Sequence, residues 1–359
     1  MGLRAGESQG QWTCDYLETG LVISRGRIDA CCVTHHRNLG HVILVENFDG
    51  DYFPLEEIIE ARRRILAQLR QPDGYPACRG CVKLVKRKAP KQKYAFDYIV
   101  FAHHTHCNLR CRYCHSTEPG FRHVERPPNV LPLIKDLVRR RLLSPNCEIG
   151  WSGGEPTLLD EFDELSSYLA AIGARQNLHT NAVLLSRAAM HWIPKSLYRM
   201  YISVDAGTRG TYQLLKGADA FEQVWANIAR YISVGGRRVL PKMILMKENL
   251  AEVAQFVALS HRAGAWTVVC DLNNKEEHLD DDVVHAAVIM LEECARRGIR
   301  MVVGMNTHHA WPEKHFDIRV KGLYEDMVRQ MAFPQRLRQR IGTAKALRHV
   351  LRIGAALQR

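Results

Sequence analysis

The chain has 359 residues, 46% hydrophobic and 25% charged, the balance of an ordinary globular protein. It has no apolar run long enough to span a bilayer, and its start, MGLRAGESQG, lacks the apolar core of a secretion signal, so a cytoplasmic location is the expectation. The net charge of +12 is uneven: 83–93 carries six Lys or Arg and the segment after Met327 eight, with no acid in either, which suits a solvated linker and helix face or a nucleic-acid surface.

Residues 1–82 read as a small α+β unit bearing cysteines. YLETGLVISRGRIDACCV predicts two short strands around a turn at Ser24-Arg25-Gly26, and HVILVENF (41–48) a further strand. PLEEIIEARRRILAQLR (54–70) has Ile58, Ile59, Ile65, Leu66 and Leu69 near helical period. Cys78 and Cys81 close the unit, and the basic stretch 83–93 reads as a linker.

From about residue 94 strands and helices alternate. Strands are expected at 96–102, 147–152, 177–180, 199–204, 239–246 and 266–271, with a weaker one at 299–304. The clearest helix is 219–233, with Phe221, Val224, Trp225, Ile228, Tyr231 and Ile232 on one stripe. Such alternation implies a parallel sheet with helices outside, and six or seven units suit a partial (β/α) barrel over 94–310. A basic helical segment, 311–359, follows. In parallel barrels the chemistry sits at the C-terminal strand ends. Polar or ligating residues recur there: Cys107, Cys111 and Cys114; Gly153, Gly154 and Glu155; Thr180 and Asn181; Ser203 and Asp205; Asn249; Asp271.

CNLRCRYC (107–114) sets three cysteines at Cys-x3-Cys-x2-Cys spacing, suited to one soft metal centre. A zinc site completed by His104, His106 or His115 is the alternative from spacing alone. With Asn108 and the aromatic Tyr113, the string resembles the signature of the radical S-adenosylmethionine (radical SAM) superfamily, and GGEP (153–156) resembles the superfamily's motif after the second strand. The resemblance covers roughly residues 95–275. It implies an enzyme with a [4Fe-4S] cluster on Cys107, Cys111 and Cys114 and with S-adenosylmethionine chelating the fourth iron. One electron would cleave the cofactor, and the resulting 5′-deoxyadenosyl radical would abstract a substrate hydrogen. The resemblance also implies cofactor contacts from Tyr113, Gly153, Gly154, Glu155, Ser203 and Asp205. Glu155 would complement the amino group, and Ser203 and Asp205 would meet the ribose hydroxyls or the carboxylate. Thr180-Asn181 resembles the family's Thr-Asn-Gly, with Ala182 in place of the glycine; for Thr180, Asn181 and Asp271 a turn or capping role stands beside ligand contact. A flavodoxin- or ferredoxin-like electron donor is the implied partner.

Cys14-x11-Gly26-x4-Cys31 resembles the start of the SPASM or twitch auxiliary-cluster domain, with Cys78 and Cys81 as the remaining ligands of a second [4Fe-4S] cluster. Here the unit precedes the barrel, Cys32 is a substitute for Cys31, and a structural zinc site is the alternative. Cys147, Cys270 and Cys294 read as core. The expected substrate is a peptide or protein side chain. A sugar or other small metabolite, an RNA, and a noncatalytic iron–sulfur binding protein are the competing readings.

Overall fold

The computed structural model describes residues 10–303, except 32–39, 49, 51–53, 80, 82, 88–94, 122, 125 and 274–279. Cys32, most of the basic stretch 83–93 and the whole of 311–359 lie outside the described residues. The chain forms two compact units. One comprises Met1–His106, Val124–Gly154 and Leu159–Gln176; the other comprises Cys107–His123, Glu155–Leu158 and Asn177–Arg359.

The first unit begins with β1 (Gln11–Thr13), α1 (Asp15–Thr19), β2 (Gly20–Ser24), β3 (Arg27–Asp29) and β4 (Ile43–Glu46). The hairpin is as expected: Ser24 faces Arg27 across the Arg25-Gly26 turn, where Gly26 takes a φ of 68°. The residues before it are not strand. Cys14 caps α1, its Sγ accepting from the Leu17 N–H at 3.3 Å, and the first-turn acids Asp15 and Glu18 favour the helix N-terminus.

Next come α2 (Leu55–Leu69), β5 (Val85–Arg87), β6 (Phe96–Ala102), α3 (Leu131–Arg139), β7 (Leu143–Trp151) and α4 (Phe162–Ala171). β5 lies within the basic stretch and pairs antiparallel with β1. β2 pairs parallel with β6, and β6 with β7. Phe96 and the consecutive Ile99, Val100 and Phe101 of β6 are buried, so the second half of the strand is covered on both faces. The apolar face of α2 is interrupted by Arg62, which is nonetheless buried. Its guanidinium donates to the Ala95 carbonyl at 3.0 Å and to the Gly20 carbonyl, and lies 4.8 Å from the Phe96 ring centroid. Burial lowers its pKa to about 10, still charged at neutral pH.

The chain crosses into the second unit along β8 (Arg175–Thr180). Then follow α5 (Arg187–Ser196), β9 (Leu197–Ser203), α6 (Arg209–Lys216), α7 (Phe221–Gly235), β10 (Val239–Leu245), α8 (Val253–Arg262), β11 (Thr267–Leu272), α9 (Asp281–Arg297) and β12 (Arg300–Val303). β9, β10, β11 and β12 pair in parallel in that order. The fold is therefore mixed α/β with mostly parallel strands, the expected class. The predicted stripe on α7 is buried along its length, each large side chain contributing about 1.5–3 kcal/mol.

Candidate functional site

The loop 107–114 belongs to the second unit. Cys107 is exposed and Cys111 and Cys114 are half-buried. The loop is wound on itself: the Leu109 N–H points at Cys107 Sγ (3.4 Å), and the Cys114 N–H donates to the Cys111 carbonyl (3.0 Å). It is also held from outside. The N–H groups of Arg110 and Arg112 each donate, at 3.0 Å, to the carbonyls of Lys216 and Leu215 at the end of α6. Although Cys107 is exposed as a residue, desolvation of its sulfur, as of the half-buried Cys111, pushes the thiol up from its usual range. Metal binding there would release protons and stabilise the thiolates. Among the described residues no three His, Cys, Asp or Glu side chains close to coordination distance around a single point. The fit to an iron–sulfur cluster rests on donor chemistry: three thiols on one short loop, with no fourth protein thiolate in it.

Glu155, nearly fully buried, is linked to that loop through Asn181. Its Oε1 accepts from Thr180 Oγ1 (2.7 Å), Thr157 Oγ1 (2.8 Å) and the Thr157 N–H (3.3 Å); its Oε2 accepts from the Asn181 N–H at 2.7 Å. Asn181 Nδ2 donates to Asn108 Oδ1 at 2.7 Å and lies 3.7 Å from Cys107 Sγ. Desolvation raises the pKa of Glu155, and these hydrogen bonds oppose the rise. Oε2 has two lone-pair sites and accepts from the Asn181 N–H through one, so it keeps capacity for one further cationic donor. Thr180 and Asn181 also make turn contacts, to the N–H groups of Ala182 and Val183. Ala182, at the glycine position of the resembled motif, has a φ of 56° and is fully buried. That conformation costs an L-residue about 1–2 kcal/mol. Asn227 holds it, donating to the carbonyls of Ala182 (2.9 Å) and Val183 (3.2 Å).

Gly153 and Gly154 lie in the first unit, where what approaches them is the chain itself. A Cβ at Gly154 would stand 2.1 Å from the His106 carbonyl oxygen, and one at Gly153, where φ is 99°, 2.7 Å from that of His104. The Gly154 N–H donates to the His104 carbonyl at 3.1 Å. Gly154→Ala is accordingly expected to lower stability by about 1–3 kcal/mol, read as a shifted denaturation midpoint; an unchanged midpoint would remove this steric role. His104 is neutral, its pKa lowered to about 4 chiefly by burial, with Nε2 3.1 Å from the Ser152 carbonyl.

Ser203 ends β9 half-buried, opposite Lys242. Asp205 is fully buried with a φ of 59°, and its carboxylate is already engaged. Oδ2 accepts from Tyr113 Oη and from Lys216 Nζ, both at 2.5 Å, and Oδ1 from the Ile244 N–H at 2.7 Å. Lys216 Nζ also reaches Tyr113 Oη at 2.6 Å. Reading the sequence missed Lys216. Its setting, the last helical residue before Gly217, is that of any cation stabilising a helix C-terminus. Asn249 serves the same corner from a turn, donating to the carbonyls of Asp205 (2.9 Å) and Ile244 (2.8 Å). Asp271 on β11 stands 3.8 Å from Lys242.

Cys14, Cys31, Cys78 and Cys81 all lie in the first unit. Cys14 follows β1, whose partner is β5, and Cys31 follows β3, so these two cysteines do not end paired strands. The thiols of Cys14 and Cys78 are each pushed up to about 12, first by burial and further by the charge that neighbouring cysteines of this set would carry as thiolates. The four groups thus share one electrostatic neighbourhood. Cys147, Cys270 and Cys294 are buried, as expected of core.

Residues 101–259 match the family model of the Radical SAM superfamily. They form a radical SAM domain. A probable GTP 3′,8-cyclase of Saccharolobus islandicus is 31% identical over 163 residues, 44% of this chain and 51% of that protein. The GTP 3′,8-cyclase of Vibrio cholerae is 29% identical over 160 residues, 42% of this chain and 47% of that protein. The chain thus spans about half the length of the curated relatives it matches. In fold, the chain is similar to Streptococcus suis SuiB bound to the precursor peptide SuiA, with a TM-score of 0.50 and 14% identity over 74% of this chain and 57% of that one. Among the described residues no helix is long and apolar enough to cross a membrane.

Proposed function

We propose that the chain is a radical SAM enzyme acting on a peptide or protein side chain. Cys107, Cys111 and Cys114 would hold a [4Fe-4S] cluster, and Glu155 would receive the amino group of S-adenosylmethionine. The observation that carries the reading is the link between thiol and carboxylate: Asn181 bonds Glu155 through its N–H and turns its amide towards Cys107 Sγ. The bound cluster and cofactor would supply an organic radical able to take hydrogen from an unactivated carbon. The chain's own residues do the holding. Thr157, Thr180 and the Asn181 N–H aim Glu155 and oppose the rise that burial causes in its pKa. Gly153 and Gly154 let the chain segment leading into the cysteine loop pack close. Ser203 and the half-buried side of Tyr113 would line the cofactor. An electron donor of the flavodoxin or ferredoxin kind would reduce the cluster. The test is anaerobic reduction with S-adenosylmethionine, expected to yield 5′-deoxyadenosine; no product from a chain loaded with iron and sulfide would defeat the reading.

The same proposal gives Cys14, Cys31, Cys78 and Cys81 a second [4Fe-4S] cluster, with residues 1–82 as an auxiliary unit. The proximity of the four sulfurs supports this: their thiolates would repel one another, and a bound metal centre would offset that repulsion. Two clusters amount to about eight irons per chain, and replacing Cys107, Cys111 and Cys114 together by Ala should leave about four. One tightly bound zinc in that triple variant would sink the auxiliary cluster and spare the domain. Likeness to the GTP cyclases favours a small metabolite as the second reading of the substrate.

A further inference from the structure

We infer that Lys216 is a positioning residue of the three-cysteine loop, bracing it from the end of α6 and setting a fixed positive charge beside it. The inference rests on the cluster assignment proposed above. Three observations carry it. First, the side chain is 1% exposed and its ammonium bridges Asp205 Oδ2 (2.5 Å) and Tyr113 Oη (2.6 Å), and Tyr113 is itself a loop residue. Second, the main chain repeats the connection: Lys216 and Leu215 offer their carbonyls to the N–H groups of Arg110 and Arg112, on either side of Cys111. Third, the register is sterically set. Gly217 ends α6 with a φ of 69°, and a Cβ there would come within 3.1 Å of the Arg110 carbonyl oxygen.

The loop lacks regular structure between Cys107 and Cys114, so its shape depends on outside anchors. A buried ammonium with two strong acceptors is a stiff anchor, because moving it would leave a charge unpaired. Asp205 is anchored in turn by the Ile244 N–H and by Asn249, so the brace runs back to β10. Lys216 therefore holds both the geometry of the loop and a positive charge close to Cys111, which a bound cluster would sense as stabilisation of its reduced, more negative state.

The test compares Lys216→Met with the double variant Asp205→Asn/Lys216→Met, which removes both charges and leaves no buried ion unpaired. In the metal-free chain, hydrogen exchange at the Arg110 and Arg112 amides should rise at least tenfold in the double variant. After loading with iron and sulfide, the midpoint potential of the cluster should become more negative in Lys216→Met and return towards the wild-type value in the double variant. Unchanged exchange at both amides in the double variant would overturn the brace. An unshifted potential in Lys216→Met would overturn the charge. Should Lys216→Met fail to fold, the exchange comparison decides alone. A wild-type chain that took up no cluster would defeat the proposed function, yet the exchange arm would still test the brace.

Discussion

Cys111→Ala is expected to abolish 5′-deoxyadenosine formation, lowering it at least a thousandfold, to background. Each of Cys107, Cys111 and Cys114 would supply one iron ligand, and the loop's other side chains, Asn108, Leu109, Arg110, Arg112 and Tyr113, include no thiol or imidazole to replace a lost thiolate. Cys111 is the most telling of the three. It sits between the two N–H groups that bind the end of α6, so an alanine there leaves the loop's main-chain anchors in place and removes only the sulfur. Product measured after anaerobic reduction is the assay, with circular dichroism as the control for folding. Wild-type product from Cys111→Ala would refute the assignment of this loop.

Asp205→Ala is expected to cost about 3–5 kcal/mol of folding stability, since it strands the Lys216 ammonium in a fully buried position. Urea unfolding of the metal-free chain measures it; a loss below about 1 kcal/mol would mean that Lys216 finds another partner. The pair also has a signature in pH. Burial pushes the Asp205 carboxyl up, but the ammonium groups of Lys216 and Lys242 outweigh it and hold the group below its ordinary 3.8. That contribution is fully present above pH 3.8 and is lost as pH falls through the lowered value. Burial alone would lower Lys216, but Asp205 outweighs it and holds the group above its ordinary 10.5. Its contribution is fully present below pH 10.5 and is lost as pH rises through the raised value. Between those limits the pair should contribute a constant amount.

Much of this protein is legible in the sequence because the signals are local. The strand runs at 96–102 and 239–246 and the stripe on α7 announce themselves within a few residues, since burial on a regular element imposes its own period. The cysteine loop and GGEP are short strings whose chemistry depends on spacing along the chain, so both could be found before any fold was known. The first miss was also local. Residues 16–19 look like strand, yet a cysteine cap and two acids turn them into α1.

Tertiary structure decided the rest, because the deciding partners are far apart in sequence. Asp205 reads as a free polar residue at a strand end. Only the fold brings it Tyr113 from 92 residues away, together with Lys216, and so seats its carboxylate in a buried ion pair. Gly153 and Gly154 read as cofactor contacts from their motif; only the fold shows that the backbone of His104 and His106 occupies the space a Cβ would take. Glu155 could be named from its motif, but not the four donors that aim it. The sequence by itself determined the family-like motifs and the α/β alternation, both set by short-range spacing and burial. The tertiary structure alone decided which charges are neutralised, because in a buried site charge pairing depends on distance in space.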